Sequence, residues 1–138
     1  MSVELITPEN VTIDIIKEIY DAAMMECSID DDRGYVRIQD DILARARIPE
    51  NKERIQLGAL YGVKEETQRV DRLEYCNRVN DQFVMIRASI TEAGDLYFDY
   101  DITIKGGVTR KQIAQATRLF LKFVPKAVAD LDEDGIID

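Results

Sequence analysis

Leu96-Tyr97-Phe98-Asp99-Tyr100-Asp101-Ile102-Thr103-Ile104 alternates apolar and polar side chains along its whole length. Successive side chains of a strand point to opposite faces. Leu96, Phe98, Tyr100, Ile102 and Ile104 are therefore expected on a buried face, and Tyr97, Asp99, Asp101 and Thr103 on a solvated one. Lys105-Gly106-Gly107-Val108-Thr109 ends the strand, and Thr109 with Gln112 forms a capping box that opens a helix. On the other side, a strand from Phe83 to Ile90 and the turn Thr91-Glu92-Ala93-Gly94-Asp95 complete a hairpin with it. A hairpin with one apolar face, followed by an amphipathic helix, calls for a sheet covered by helices on one side.

The same reading extends outward. Residues 1–10 form a loose lead-in. A first helix is expected from about Thr12, its cap, to Cys27, with Ile13, Ile16, Tyr20, Ala23, Met24 and Cys27 on one stripe. Asp30-Asp31-Asp32-Arg33-Gly34 is a turn. Strands follow at Tyr35 to Gln39, Ile42 to Ile48 and Arg54 to Gly62, the last two joined by the loop Pro49-Glu50-Asn51-Lys52-Glu53. Gly58 and Gly62 suggest a bulge or a close approach by another backbone. A polar helix spans Glu65 to Asn80, with Val70, Leu73, Cys76 or Asn77, and Val79 or Asn80 as a narrow stripe. In the last helix Ile113, Ala116, Thr117, Phe120, Phe123 or Val124, and Ala127 line up, and Pro125 is expected to kink or end it. The order α-β-β-β-α-β-β-α predicts an α+β domain over residues 1–129, an antiparallel sheet of about five strands with helices packed on it. Residues 130–138 read as a disordered acidic tail.

With 138 residues the chain fits one domain with a substantial core. Its 27 acidic and 18 basic residues give a net charge of −9, which opposes contact with nucleic acid or an anionic membrane. No apolar run reaches the roughly 20 residues of a membrane helix. No secretory leader is evident, so a cytoplasmic protein is expected, with Cys27 and Cys76 as reduced core thiols. There is no histidine. Ser-His and Cys-His nucleophile schemes and the usual zinc sites are thereby removed.

From Asp71 to Val124 the chain resembles the YbjN family of bacterial proteins. The matching pieces are Cys76-Asn77 ahead of Phe83, Val84-Met85-Ile86-Arg87-Ala88, Gly94-Asp95-Leu96, Gly106-Gly107-Val108-Thr109 and Leu119-Phe120-Leu121. The family pattern places Trp where this chain has Cys76. The resemblance implies the fold of type III secretion chaperones, which are small, acidic, dimeric α+β proteins that hold an extended partner segment. Family members are described as sensory or stress regulators, and the resemblance implies no catalytic residues.

Three sets of residues are candidate sites. Leu43, Arg45 and Arg47 share one strand face, and with Leu60 on the next strand they form a surface for an acidic partner or sister subunit. The alternative for the arginines is pairing with Glu50, Glu53 or neighbouring acids. Lys105, Gly106, Gly107 and Arg110 surround a helix start that could hold an anion, although a turn needs glycine there in any case. Asp130, Asp132 and Asp134, followed by Gly135, copy the opening of an EF-hand loop but stop before its closing glutamate. Asp99 and Asp101 read as a solvated outer face.

The expected function is a non-enzymatic, chaperone-like protein-binding adaptor or regulator, a homodimer without cofactors. The alternative is a small-ligand or ion sensor using the Gly106-Gly107 helix start or the acidic tail.

Overall fold

In the computed structural model, which describes residues 4–138, the elements run α1 (Ile13–Ala22), β1 (Cys27–Asp30), β2 (Tyr35–Gln39), β3 (Leu43–Arg47), β4 (Arg54–Tyr61), α2 (Arg69–Gln82), β5 (Arg87–Ile90), β6 (Leu96–Thr103) and α3 (Arg110–Leu131). The strands form one antiparallel sheet in the order β1-β2-β3-β4-β6-β5. The strand with the cleanest alternation, β6, lies inside the sheet between β4 and β5. Ile55, Leu57, Ala59 and Tyr61 of β4 stand opposite Ile102, Tyr100, Phe98 and Leu96 of β6, so the apolar face is continuous across both strands.

All three helices contribute to one core on that face. Ile16, Ile19 and Tyr20 of α1 join Tyr75, Cys76 and Val79 of α2. From α3 come Ile113, Thr117, Phe120, Leu121, Val124, Ala127 and Leu131. Two tyrosines carry hydroxyls into this core and both find partners, as buried polar atoms must. Tyr20 Oη lies 2.9 Å from Thr117 Oγ1, and Tyr75 Oη donates to the Ala127 carbonyl at 3.0 Å. Thr12 caps α1 through the Ile15 N–H, and the Thr109–Gln112 capping box opens α3 as its sequence predicts.

The sheet has six strands, one more than the sequence suggests. The additional one is β1. The chain leaves α1 after Ala22, Met24 takes a left-handed conformation with φ 62°, and Cys27 opens a strand where the helix was expected to continue. The alternation Cys27-Ser28-Ile29-Asp30 was the available signal, four residues long and overlapping a helical pattern. Strand β5 begins at Arg87, later than Phe83, because Phe83 terminates α2 and Val84 is exposed beyond it. On α2, Val70 and Leu73 face solvent and Tyr75 takes the buried position. Pro125 does not end α3, which continues to Leu131.

Both chain ends are more engaged than expected. Residues 1–3 of the lead-in lie outside the described residues. Ile6 is fully buried and exchanges two backbone hydrogen bonds with Val108, at 2.7 and 3.0 Å. The stretch read as a disordered tail packs back on the domain. Leu131 and Ile136 belong to the core, Ile137 bridges to Val63, and the Asp138 N–H donates to the Gly62 carbonyl at 3.0 Å.

Candidate functional site

The face of the sheet opposite the helices is a grid of outward side chains fixed by strand register. Arg45 stands between Arg37 on β2 and Gly58 on β4, and Arg47 between Tyr35 and Gln56. On β4 and β6, Gly58 faces Asp99 and Leu60 faces Tyr97. Leu43 lies beside Gln39. The sequence candidates Leu43, Arg45, Arg47 and Leu60 therefore share one surface, and Leu43 and Leu60 are each half exposed.

Gly58 shapes this surface. A Cβ at Gly58 would overlap the Tyr97 hydroxyl, so the absent side chain lets the Tyr97 ring lie across β4. The approach comes from a side chain, where the sequence suggested a backbone. Around it is a hollow of about 480 Å³ lined by Arg33, Tyr35, Arg45, Arg47, Gln56, Gly58, Leu60, Thr91 and Tyr97. A second hollow of about 300 Å³ shares Arg33, Tyr35, Arg45 and Leu60 and extends to Arg37 and Leu43. Every lining residue comes from a strand or a turn, and none from a helix.

The arginines are held in place without being neutralised. Arg47 Nε donates to Gln56 Oε1 at 2.8 Å, and the Arg45 guanidinium lies 5.5 Å from the centroid of the Tyr35 ring, a cation–π distance. Pairing of Arg45 or Arg47 with Glu50 or Glu53 does not form; Glu53 instead meets Lys105 at 3.7 Å. Among the described residues Arg33, Arg45 and Arg47 make no ion pair, whereas Arg37 meets Asp30 at 3.4 Å and Arg54 meets Asp101 at 3.7 Å. Burial, with the nearby Asp99 charge, raises the Tyr97 phenol above its ordinary range, and Arg45 and Arg47 pull the other way. A hydrogen bond from Arg37 lowers the Tyr35 phenol. The face thus combines three uncompensated cations, two aromatic rings and two exposed leucines in a chain of net charge −9.

Asp99 departs from its expected exposure. It is almost wholly buried, although it is on the solvated side of β6, and Arg87 closes over it. Asp101 is exposed as expected.

The other two candidate sites are occupied by the protein itself. Gly106 and Gly107 have φ of 88° and 94°, and the Gly107 N–H donates to the Ile104 carbonyl at 2.9 Å. The Thr109 N–H is taken by Gln112 Oε1 at 2.9 Å. Lys105 meets Glu53, and Arg110 meets Glu4 and Glu18, each at 3.7 Å. The three aspartates near the C-terminus diverge. Asp130 pairs with Lys126 at 3.0 Å and Asp134 with Arg78 at 3.6 Å. The Asp132 carboxylate accepts from the Ile136 and Ile137 N–H groups at 2.8 and 3.1 Å. Among the described residues no group of three or more Cys, Asp or Glu side chains is placed to hold a metal ion.

The sequence named Leu43, Arg45, Arg47 and Leu60 as a candidate surface, and it did not join Arg33, Tyr35, Arg37, Gln56, Gly58, Thr91 or Tyr97 to them. The alternation of β6 placed Tyr97 on the solvated side of its strand, but strand order was needed to bring it, Tyr35 and Arg37 to the same surface as Arg45.

Comparison with known proteins gives matches of family and fold. The crystal structure of "YbjN, a putative transcription regulator from E. coli" superposes with a TM-score of 0.80 at 13% identity, covering 98% of this chain and 99% of that one. A chain of the HopA1–SchA chaperone–effector complex superposes with a TM-score of 0.59 at 12% identity, covering 82% of this chain and 89% of that one. No curated protein matches in sequence. No helix among the described residues is long and apolar enough to cross a membrane. The fold is thus an α+β arrangement shared with E. coli YbjN and with a chain of the HopA1–SchA chaperone–effector complex, and the six-stranded sheet stands in place of the five strands expected. Residues 12–133 match the family described as "Putative bacterial sensory transduction regulator", and the chain belongs to this family, YbjN.

Proposed function

We propose that this protein is a non-enzymatic, chaperone-like adaptor or regulator that holds a segment of another polypeptide against the outer face of its sheet. The observation that carries this reading is the convergence of Leu43, Leu60, Arg45 and Arg47 on a helix-free surface around the Tyr97 hollow. Burying the two half-exposed leucines would supply apolar contact area, and the arginines would supply orientation. The fold it shares with a chain of a chaperone–effector complex supports a polypeptide as the occupant.

The reading includes a homodimer. Asn80 occupies the outer edge of β5, accepting from the Ala88 N–H at 2.8 Å and donating to its carbonyl at 3.1 Å. A sister strand would therefore add at the edge of β1.

The test is site-specific photo-cross-linking. A photoreactive side chain at Leu43 or Leu60 is expected to give polypeptide adducts, and one at Lys122 on the exposed side of α3 is expected to give none. Adducts spread equally over the three positions, or absent from all of them, would remove the sheet face as the binding surface.

A further inference from the structure

We infer that the segment held on this face is acidic and amphipathic, with carboxylates along one flank and apolar side chains along the other. The inference rests on the sheet-face reading above and adds the chemistry of the partner.

The outward side chains are sorted into rows that run across the strands. Leu43 stands beside Gln39 and Leu60 beside Tyr97, and continuing the Arg45–Gly58 register by two residues brings Leu43 level with Leu60, so this row carries two leucines, one tyrosine ring and one amide. The adjoining rows hold Arg37 beside Arg45 and Tyr35 beside Arg47, and Arg33, from the turn before β2, lines both hollows. From β2 to β6 the rows cross three strand spacings, about 14 Å. That span exceeds a single carboxylate or phosphate and matches a short stretch of polypeptide lying across the strands. The two hollows share four lining residues, so the surface is one trough.

Charge selects the occupant further. Arg33, Arg45 and Arg47 have no acidic partner among the described residues, although the chain carries 27 acids to 18 bases. Guanidinium forks donate to carboxylates in bidentate geometry, and Gln56 and Tyr35 already hold two of the forks in position. An acidic segment would gain these bonds, and a basic one would be repelled.

The test uses two labelled peptides, one alternating Glu with Val and the other Gln with Val, read by fluorescence anisotropy. The Glu peptide is expected to bind at least about tenfold more tightly than its Gln twin, with an affinity that falls as salt rises. Arg45→Glu with Arg47→Glu should erase that preference. Should this variant fail to fold, Arg45→Gln with Arg47→Gln serves, since it introduces no like-charge repulsion. Equal binding of the two peptides would overturn the acidic partner and leave the sheet-face reading standing. Binding of neither peptide, with cross-links at Leu60 intact, would do the same. Loss of those cross-links as well would overturn the reading itself. Light scattering that shows a dimer dissociated by the arginine variants would assign the face to a second copy, again overturning the inference.

Discussion

Arg87 and Asp99 face each other across β5 and β6, and both carboxylate oxygens of Asp99 are held by the one guanidinium, at 2.9 and 2.5 Å. The Asp99 side chain is 4% exposed and that of Arg87 is 69% exposed, so the cation forms a lid over a buried anion. Arg87→Met would leave that anion without its donor. A loss of about 1–3 kcal/mol is expected in urea unfolding, because a buried charged acceptor would be left unsatisfied. Replacing both residues with leucine should cost less than the sum of the single changes. Additive losses would show that the pair is not coupled.

Gly58 and Tyr97 make a second coupled pair. In Gly58→Ala the new methyl group would overlap the Tyr97 hydroxyl and drive the ring off β4. The expected destabilisation is about 1–3 kcal/mol, typical of overpacking. In a Tyr97→Ala background the same change should be nearly neutral, and the hollow that the ring helps to line should lose its binding preference. An unchanged penalty in that background would trace the cost to the backbone.

The glycine pair before α3 gives a graded prediction. Both residues have positive φ, so alanine is strained at either one. At Gly107 a Cβ would also lie 2.9 Å from Leu5 Cδ1, whereas at Gly106 it would meet open space. Gly107→Ala should therefore lower the Tm more than Gly106→Ala. With Lys105 and Arg110 both engaged by glutamates, inorganic phosphate should leave the melting temperature of the native protein unchanged. A phosphate-dependent rise would reopen this turn as an anion site.

Asp132 ties the C-terminal segment down through the Ile136 and Ile137 N–H groups. Asp132→Ala should cost about 1–2 kcal/mol, the range of a lost side-chain cap. Calorimetry at millimolar calcium should show no binding heat, because Asp130 and Asp134 are directed to Lys126 and Arg78. Measurable heat that Asp132→Ala abolishes would restore the metal reading.

The legibility of this chain followed the length of its patterns. The alternation of β6 and the Thr109–Gln112 box were long or specific enough to identify their elements, and both formed as the sequence predicted. The strand β1 was not legible, because four alternating residues after Met24 also fit another turn of α1. The end segment misled because its acids suggested solvation, while Leu131 and Ile136 supply the apolar contacts that anchor it. At the site, alternation placed Arg45, Arg47 and Tyr97 on their outward faces. It could not place β6 next to β4, and without that neighbour the Gly58–Tyr97 contact and the hollow are invisible. Burial of Asp99 was likewise hidden, since it depends on Arg87 of another strand.

The two thiols set a limit on alkaline stability. Burial pushes Cys76 up to about 11, and burial together with a hydrogen bond to Asp21 pushes Cys27 up to about 11, from an ordinary value of 9.0. A thiol whose pKa is higher in the folded chain contributes stability in full below about pH 9. That contribution declines as the unfolded chain ionises first, and it is lost as the pH passes the folded value near 11. Buried Tyr20 and Tyr75, both shifted upward by burial, extend the decline at higher pH. Urea midpoints should therefore be flat up to about pH 9 and then fall. Cys76→Val fills much of the same volume without an ionisable group, so it should make the fall shallower by one thiol's share, at most about 1.4 kcal/mol per pH unit. An unchanged slope in Cys76→Val would show that this thiol ionises equally well in the folded and unfolded chains.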